Sequence, residues 1–284
     1  MGLSGNKVSK TRSNQQRQLF RYAPEAGKLP AGAGGFRKIL ISVDPFYHKK
    51  MSIILQLAVA ANEPLQAGMY AFHKMEYDNE DYVLQLSSEE FDYSELGSLL
   101  ADTTYHLNSR TQGLLEVSSG YVQFLHRTVQ DFLETREMSE LLTTLAGTQY
   151  HPFISLLRAY TALLKRHRWK GLDGDSILWN GTECIVYDIK PFAERVIKCA
   201  EELPYGIQVR TVLDEFDRVI AVQKLRNVAL PPEIETQFSF AKLVVQRELL
   251  SYLYEKTQRR LKLSLADPRP CPADSLSRSG SEDY

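Results

Sequence analysis

Cysteine is scarce in this chain. Only Cys184, Cys199 and Cys271 occur in 284 residues, and no two stand near each other. That spacing excludes a disulfide framework and a paired-thiol metal motif, and it fits a reducing compartment, so the chain is expected to be cytoplasmic. Long apolar runs are missing too. None approaches the roughly 18 residues of a membrane span, and residues 1–18 lack the apolar core of a secretory signal, so no membrane partner is expected. Met1-Gly2 meets Asn6 where a myristoylation signal carries Ser or Thr. Neither sign of charge is in excess: 34 basic and 35 acidic residues leave a net charge of -1, which gives no general attraction to nucleic acid or anionic lipid. Glycine gathers at residues 29–35 (LPAGAGG), but Gly27-Lys28 runs into Leu29 and lacks the upstream glycine of a phosphate loop.

Catalytic signatures are equally lacking. There is no GxSxG elbow, and His106, His151 and His167 have no partner at the spacing of an HExxH pair. Asp173-Gly-Asp175 is the pattern of an ordinary turn, and Asn180-Gly-Thr182 is a sequon of consequence only in a secreted chain. Asp214, Glu215 and Asp217 read as a solvated helix face. Lys165-Arg-His-Arg168, with Lys170, reads as a solvated helix end, where the backbone dipole favours cations. The expectation is no enzyme, no metal site and no cofactor of the chain's own.

What is present centres on Gly113–Thr135, GLLEVSSGYVQFLHRTVQDFLET. Leu114–Val117 and Tyr121–Leu125 are short β-prone runs split by Ser118-Ser119-Gly120, which predicts a hairpin. Thr128 and Asp131 have capping-box spacing, with Val129, Phe132 and Leu133 on one face of the helix that follows. His126 lies in the joint between strand and helix. Upstream, helices are predicted around Phe36–Val43, residues 49–61, from Pro64 through Phe72, and over Ser94–Gln112, where Leu96, Leu99, Leu100, Thr103 and Leu107 share a face. Tyr82–Leu86 has the form of a short strand in an acidic loop.

Downstream the pattern is helical throughout, over Met138–Gly147, His151–Arg168, Glu183–Leu203 with a break at Pro191, 207–224, and two helices within 236–262. The fold class is mainly α: a winged-helix-like module of helices plus one β-hairpin at residues 29–136, then an α-helical array at 137–263. Polar segments at 1–28 and 264–284 are expected to be disordered.

At Phe124-Leu-His-Arg-Thr-Val-Gln-Asp-Phe-Leu133 the sequence resembles the region that follows the NTPase in fungal NACHT-type STAND proteins, the NLR-like signalling ATPases. Asp44-Pro-Phe-Tyr47, Leu107-Asn-Ser-Arg-Thr-Gln-Gly-Leu-Leu-Glu116, Pro152–Tyr160 and Leu213-Asp-Glu-Phe-Asp-Arg218 agree in order, and the resemblance covers about residues 29–262. It implies a winged-helix domain whose signature histidine, here His126, reaches the diphosphate of ADP held by a neighbouring NACHT domain. Thr128 and Asp131 would cap the helix that positions it, and Phe124 and Phe132 would anchor the joint. The chain itself has no NACHT domain, so it resembles a truncated product, a fragment or a partial gene model.

The resemblance therefore implies a non-catalytic regulatory and interaction region. Its partner would be a NACHT NTPase domain or another protein, and ADP or ATP would be met only through that domain. The alternatives are a winged-helix nucleic-acid binder, for which Arg110 and Arg127 are the available cations beside an uncharged Ser118-Ser119-Gly120 wing, or a degenerate fragment without independent function.

Overall fold

The computed structural model describes residues 33–89, 93–166, 178–179, 182–183, 189–226, 240–247 and 249–266. The segments at 1–28 and 267–284, the Asp173/Asp175 turn, the sequon at Asn180, His167, Cys184 and Cys271 lie outside them, while residues 264–266, expected in a disordered tail from 264 to 284, are the last of a helix. The described residues up to 226 belong to one compact unit and those from 240 onward to a second. The expected division at 136/137 falls inside the first unit.

The first unit begins with α1 (Ala33–Ser42), a 3₁₀ turn (Pro45–Tyr47) and α2 (His48–Ala61). Asp44 caps the turn by accepting from the Phe46 amide at 2.9 Å, and Pro45 occupies the first position, where no amide is needed. Helix α2 buries Met51 through Leu55, Leu57 and Ala58, so it is covered on most sides. It ends at Asn62 in the left-handed region, a residue that tolerates φ of 53°.

The segment after Pro64 departs from expectation. Leu65–Gln66 is a strand (β1) rather than the first turn of a helix, and helix α3 starts at Ala67 and runs to Glu76. The reason is tertiary. Leu65 and Gln66 pair with Val122 and Tyr121, and the Ala67 amide donates to the Gly120 carbonyl at 2.9 Å. A second departure is Tyr82–Gln85, which is a helical turn (α4) and not a strand.

Helix α5 (Tyr93–Thr111) buries Leu100, Thr103, Leu107, Arg110 and Thr111, a three-and-four spacing that puts them on one face. It leads through Gln112 and Gly113, both at positive φ, into β2 (Leu115–Ser118) and β3 (Tyr121–Phe124). The hairpin forms as predicted. Its register pairs Leu115 with Phe124 and Ser118 with Tyr121. Ser119 and Gly120 have φ of 51° and 78°, the twist-matching two-residue turn in which both central residues are left-handed. Sheet order is β1–β3–β2, all antiparallel.

Helices α6 (Arg127–Leu133), α7 (Arg136–Ala146) and α8 (Pro152–Arg166) follow. Every residue of α8 from Ile154 to Lys165 is buried, because α2, α3, α9 (Ile189–Glu201) and α10 (Ile207–Arg226) all pack on it. The expectation of a strandless second half is corrected by a two-residue antiparallel pair, β4 (Leu178–Trp179) with β5 (Thr182–Glu183). The helix expected from Glu183 starts instead at Ile189, which places Pro191 in its first turn, where a missing amide breaks nothing.

The second unit contains α11 (Phe240–Gln246) and α12 (Leu250–Ala266), in which Lys256 Nζ donates to Tyr252 Oη at 2.8 Å. The chain is thus mainly helical, with one small three-stranded sheet and a minor strand pair among the described residues.

Candidate functional site

The joint between β3 and α6 is built by backbone geometry first. The Leu125 amide donates to the Leu114 carbonyl at 3.0 Å and closes the ladder one step beyond β3. His126 keeps the extended conformation of the strand (φ -152°, ψ 147°), and the helix begins immediately after it. Its imidazole is the cap. Nδ1 accepts from the Thr128 amide at 3.2 Å and lies 2.9 Å from Thr128 Oγ1. A ring nitrogen that accepts from an amide carries no proton, so the neutral imidazole bears its N–H on Nε2. The ring is exposed, and Nε2 has no partner among the described residues. The joint therefore presents one N–H donor on its exposed surface.

This corrects the capping assignment. Thr128 is the second residue of the helix rather than its cap, and its hydroxyl steadies the imidazole. Asp131 does not reach back to an amide. It stands 3.9 Å from Arg127 Nε on the exposed surface, a pair of little energetic weight. The spacing rule misplaced the helix start by two residues because histidine, which is not among the favoured caps, supplied the acceptor.

The two phenylalanines divide their work. Phe132 is buried and its ring lies 5.3 Å from that of Phe36, while Phe124 is half-buried opposite Leu115. Gln130 Nε2 donates to Asn62 Oδ1 at 3.1 Å, which ties α6 to the end of α2.

Other groups singled out in the sequence are placed as follows. Arg110 is buried at 8% exposure, so it offers little to an approaching nucleic-acid backbone, whereas Arg127 is on the surface beside Asp131. Cys199 is buried, and desolvation pushes its thiol up to about 12, so it is not a thiolate near neutral pH. Among the described residues no three or more His, Cys, Asp or Glu side chains gather as a metal set, and no helix is long and apolar enough to cross a membrane.

Two charged centres in α8 escaped the sequence reading. Arg158 bonds Glu76, whose other oxygen receives His73 Nδ1 at 3.0 Å. Lys165, expected on a solvated helix end, is fully buried against Glu215, which was expected on a solvated face. The signal was available. Arg158 and Lys165 are seven residues apart, in phase with Leu157 and Leu164, and so fall on the stripe that must face inward.

Comparison with known protein families gives one finding. A family model described as a domain of unknown function (DUF7791) matches residues 42–170, a span that includes α2 through α8, the hairpin and His126. No curated protein and no solved structure matches the chain.

Proposed function

We propose that this chain is a regulatory and interaction module in which His126 senses a nucleotide held by a separate NTPase domain of the NACHT type. The observation that carries the reading is the exposed imidazole of His126, whose Nδ1 is occupied by Thr128 and whose Nε2–H is left free to donate to a phosphate oxygen. The order of elements supports a winged-helix-like arrangement around it. A helix, a short strand, further helices and a hairpin follow one another, and β3 takes up β1 on its outer edge. The mechanism is population control. A donor that reaches the nucleotide in only one arrangement of the two proteins favours that arrangement by its difference in contact energy.

The test separates capping from sensing. His126→Asn keeps a capping acceptor and removes the imidazole donor, whereas His126→Ala removes both. The wild-type chain added to an ADP-loaded NACHT-type NTPase domain is expected to slow ADP release. His126→Asn should keep the thermal midpoint and lose the slowing. Equal ADP release with and without the wild-type chain would overturn the reading.

A further inference from the structure

The bond that holds the start of α6 is one that a proton can undo. His126 Nδ1 accepts from the Thr128 amide at 3.2 Å and lies 2.9 Å from the Thr128 hydroxyl, so two groups of one residue share a single ring nitrogen. An imidazolium carries N–H on both nitrogens and accepts from nothing. With a proton on Nδ1 the two contacts part ways. The hydroxyl can turn round and accept from Nδ1–H, whereas the amide is a donor only and is left facing another donor. Ser, Thr and Asn caps keep their oxygen acceptor at every pH, but histidine changes charge between about pH 5 and 8.

The surroundings hold no group engaged with that proton. On α6 itself Arg127 approaches Asp131 at 3.9 Å, and Glu134 receives Gln130 Nε2 at 2.9 Å. Helices α1, α2 and α7 and strand β3 pack on α6. Arg37 of α1 bonds Glu137 of α7 at 2.7 Å, Arg136 bonds Glu140 at 2.8 Å, and Lys38 of α1 is exposed. His48, Lys49 and Lys50 lie in the first turn of α2, whereas α2 reaches α6 from its other end, through Asn62. Tyr121 is the titratable group of β3. Among the described residues none of these is bonded to the imidazole. No carboxylate compensates a positive charge there, at the end of a helix where cations are disfavoured. The ring is exposed, so solvent protons reach it.

We propose that His126 is a proton-gated helix cap. Neutral, it holds the Thr128 amide and is itself fixed. Protonated, it frees that amide and keeps only the contact to the hydroxyl, so the start of α6 loosens in acid. As regulation of the nucleotide-sensing joint the device rests on that reading of His126; as a property of the cap it stands without it.

The full chain, with no nucleotide or partner present, is followed by NMR from about pH 8 to about pH 5. The His126 ring and the solvent exchange of two backbone amides are read, each exchange rate corrected for its intrinsic pH dependence. Thr128 exchange is expected to rise at least about threefold as the ring takes its proton, the loss of one modest hydrogen bond. The Val129 amide donates to the His126 carbonyl at 2.9 Å and does not use the ring, so its exchange should stay level. His126→Asn supplies an acceptor that does not titrate and should keep Thr128 exchange level too. A level Thr128 amide in the wild-type chain while the ring titrates, an equal rise at Val129, or the same rise in His126→Asn would overturn the proposal. Since the NTPase domain is absent from this measurement, a chain that fails to slow ADP release counts against sensing alone.

Discussion

The most consequential single side chain outside the joint is Glu76. It is the shared acceptor of two buried cationic or potentially cationic groups, Arg158 at 4% side-chain exposure and His73 at 2%. Taking such charges from water is expensive, and only their mutual attraction offsets it. Glu76→Gln would leave the buried Arg158 guanidinium with only the exposed Glu80 carboxylate, 4.0 Å away, as a counter-ion. The expected loss is about 3–5 kcal/mol, read as a lower urea midpoint at unchanged slope. The double variant Glu76→Leu/Arg158→Met should recover part of that loss, because it buries no orphan charge. Acidity acts on the same group. Burial alone would raise the Glu76 pKa, but the His73 hydrogen bond and the charges of His73 and Arg158 outweigh it and hold the carboxyl below its ordinary value of 4.5. A carboxylate with a depressed folded pKa stabilises above its unfolded value and loses that contribution as pH falls through the folded one. Stability should therefore decline as pH drops below 4.5 toward the lower folded value, and Glu76→Gln should flatten that part of the profile.

At the level of elements, legibility followed locality. The β2–β3 hairpin was readable because its turn chemistry, Ser119-Gly120 at positive φ, is written within a few residues. The faces of α5 and α8 were readable because apolar spacing is a local record of burial. Strand β1 was not, since two residues carry no periodicity and Leu65–Gln66 is extended only because β3 offers it carbonyls and amides. The same holds for β4 and β5, and for α4, where a four-residue run cannot declare its period. His126 was legible as a joint residue but not as a cap. Gly147 tests how far a local rule sets stability. It ends α7 at φ 94° and ψ 152°, with nothing within 4 Å of where a Cβ would stand. Crowding is therefore absent, and strain in a region open almost only to glycine is the sole obstacle. Gly147→Ala is expected to cost about 1–3 kcal/mol by thermal denaturation. A neutral outcome would show that the α7–α8 connection relaxes freely.

Across the whole first unit, α8 is the element through which the parts are joined. Its two buried cations point to different neighbours: Arg158 engages Glu76 of α3, and Lys165, two turns on, engages Glu215 of α10 and donates to the carbonyls of Val83 at 2.5 Å and Leu86 at 3.1 Å. The second clasp is asymmetric. Glu215 is also held by Arg218 in a two-pronged contact, 2.7 Å at each oxygen, whereas Lys165 has no other anion among the described residues. Removing Lys165 as Lys165→Met leaves Glu215 paired and two carbonyls short of a donor, a loss of about 1–3 kcal/mol. Glu215→Gln leaves a buried ammonium facing only carbonyl dipoles, a loss of about 3–5 kcal/mol. Arg218→Ala, at a half-exposed site, should cost less than about 1 kcal/mol. That ordering of urea midpoints, with Glu215→Gln lowest, is what a central helix clasped by buried charge requires. If Lys165→Met were the most damaging of the three, the weight would lie in the carbonyl contacts to the α4 segment, and α8 would be joined to α10 by apolar packing alone.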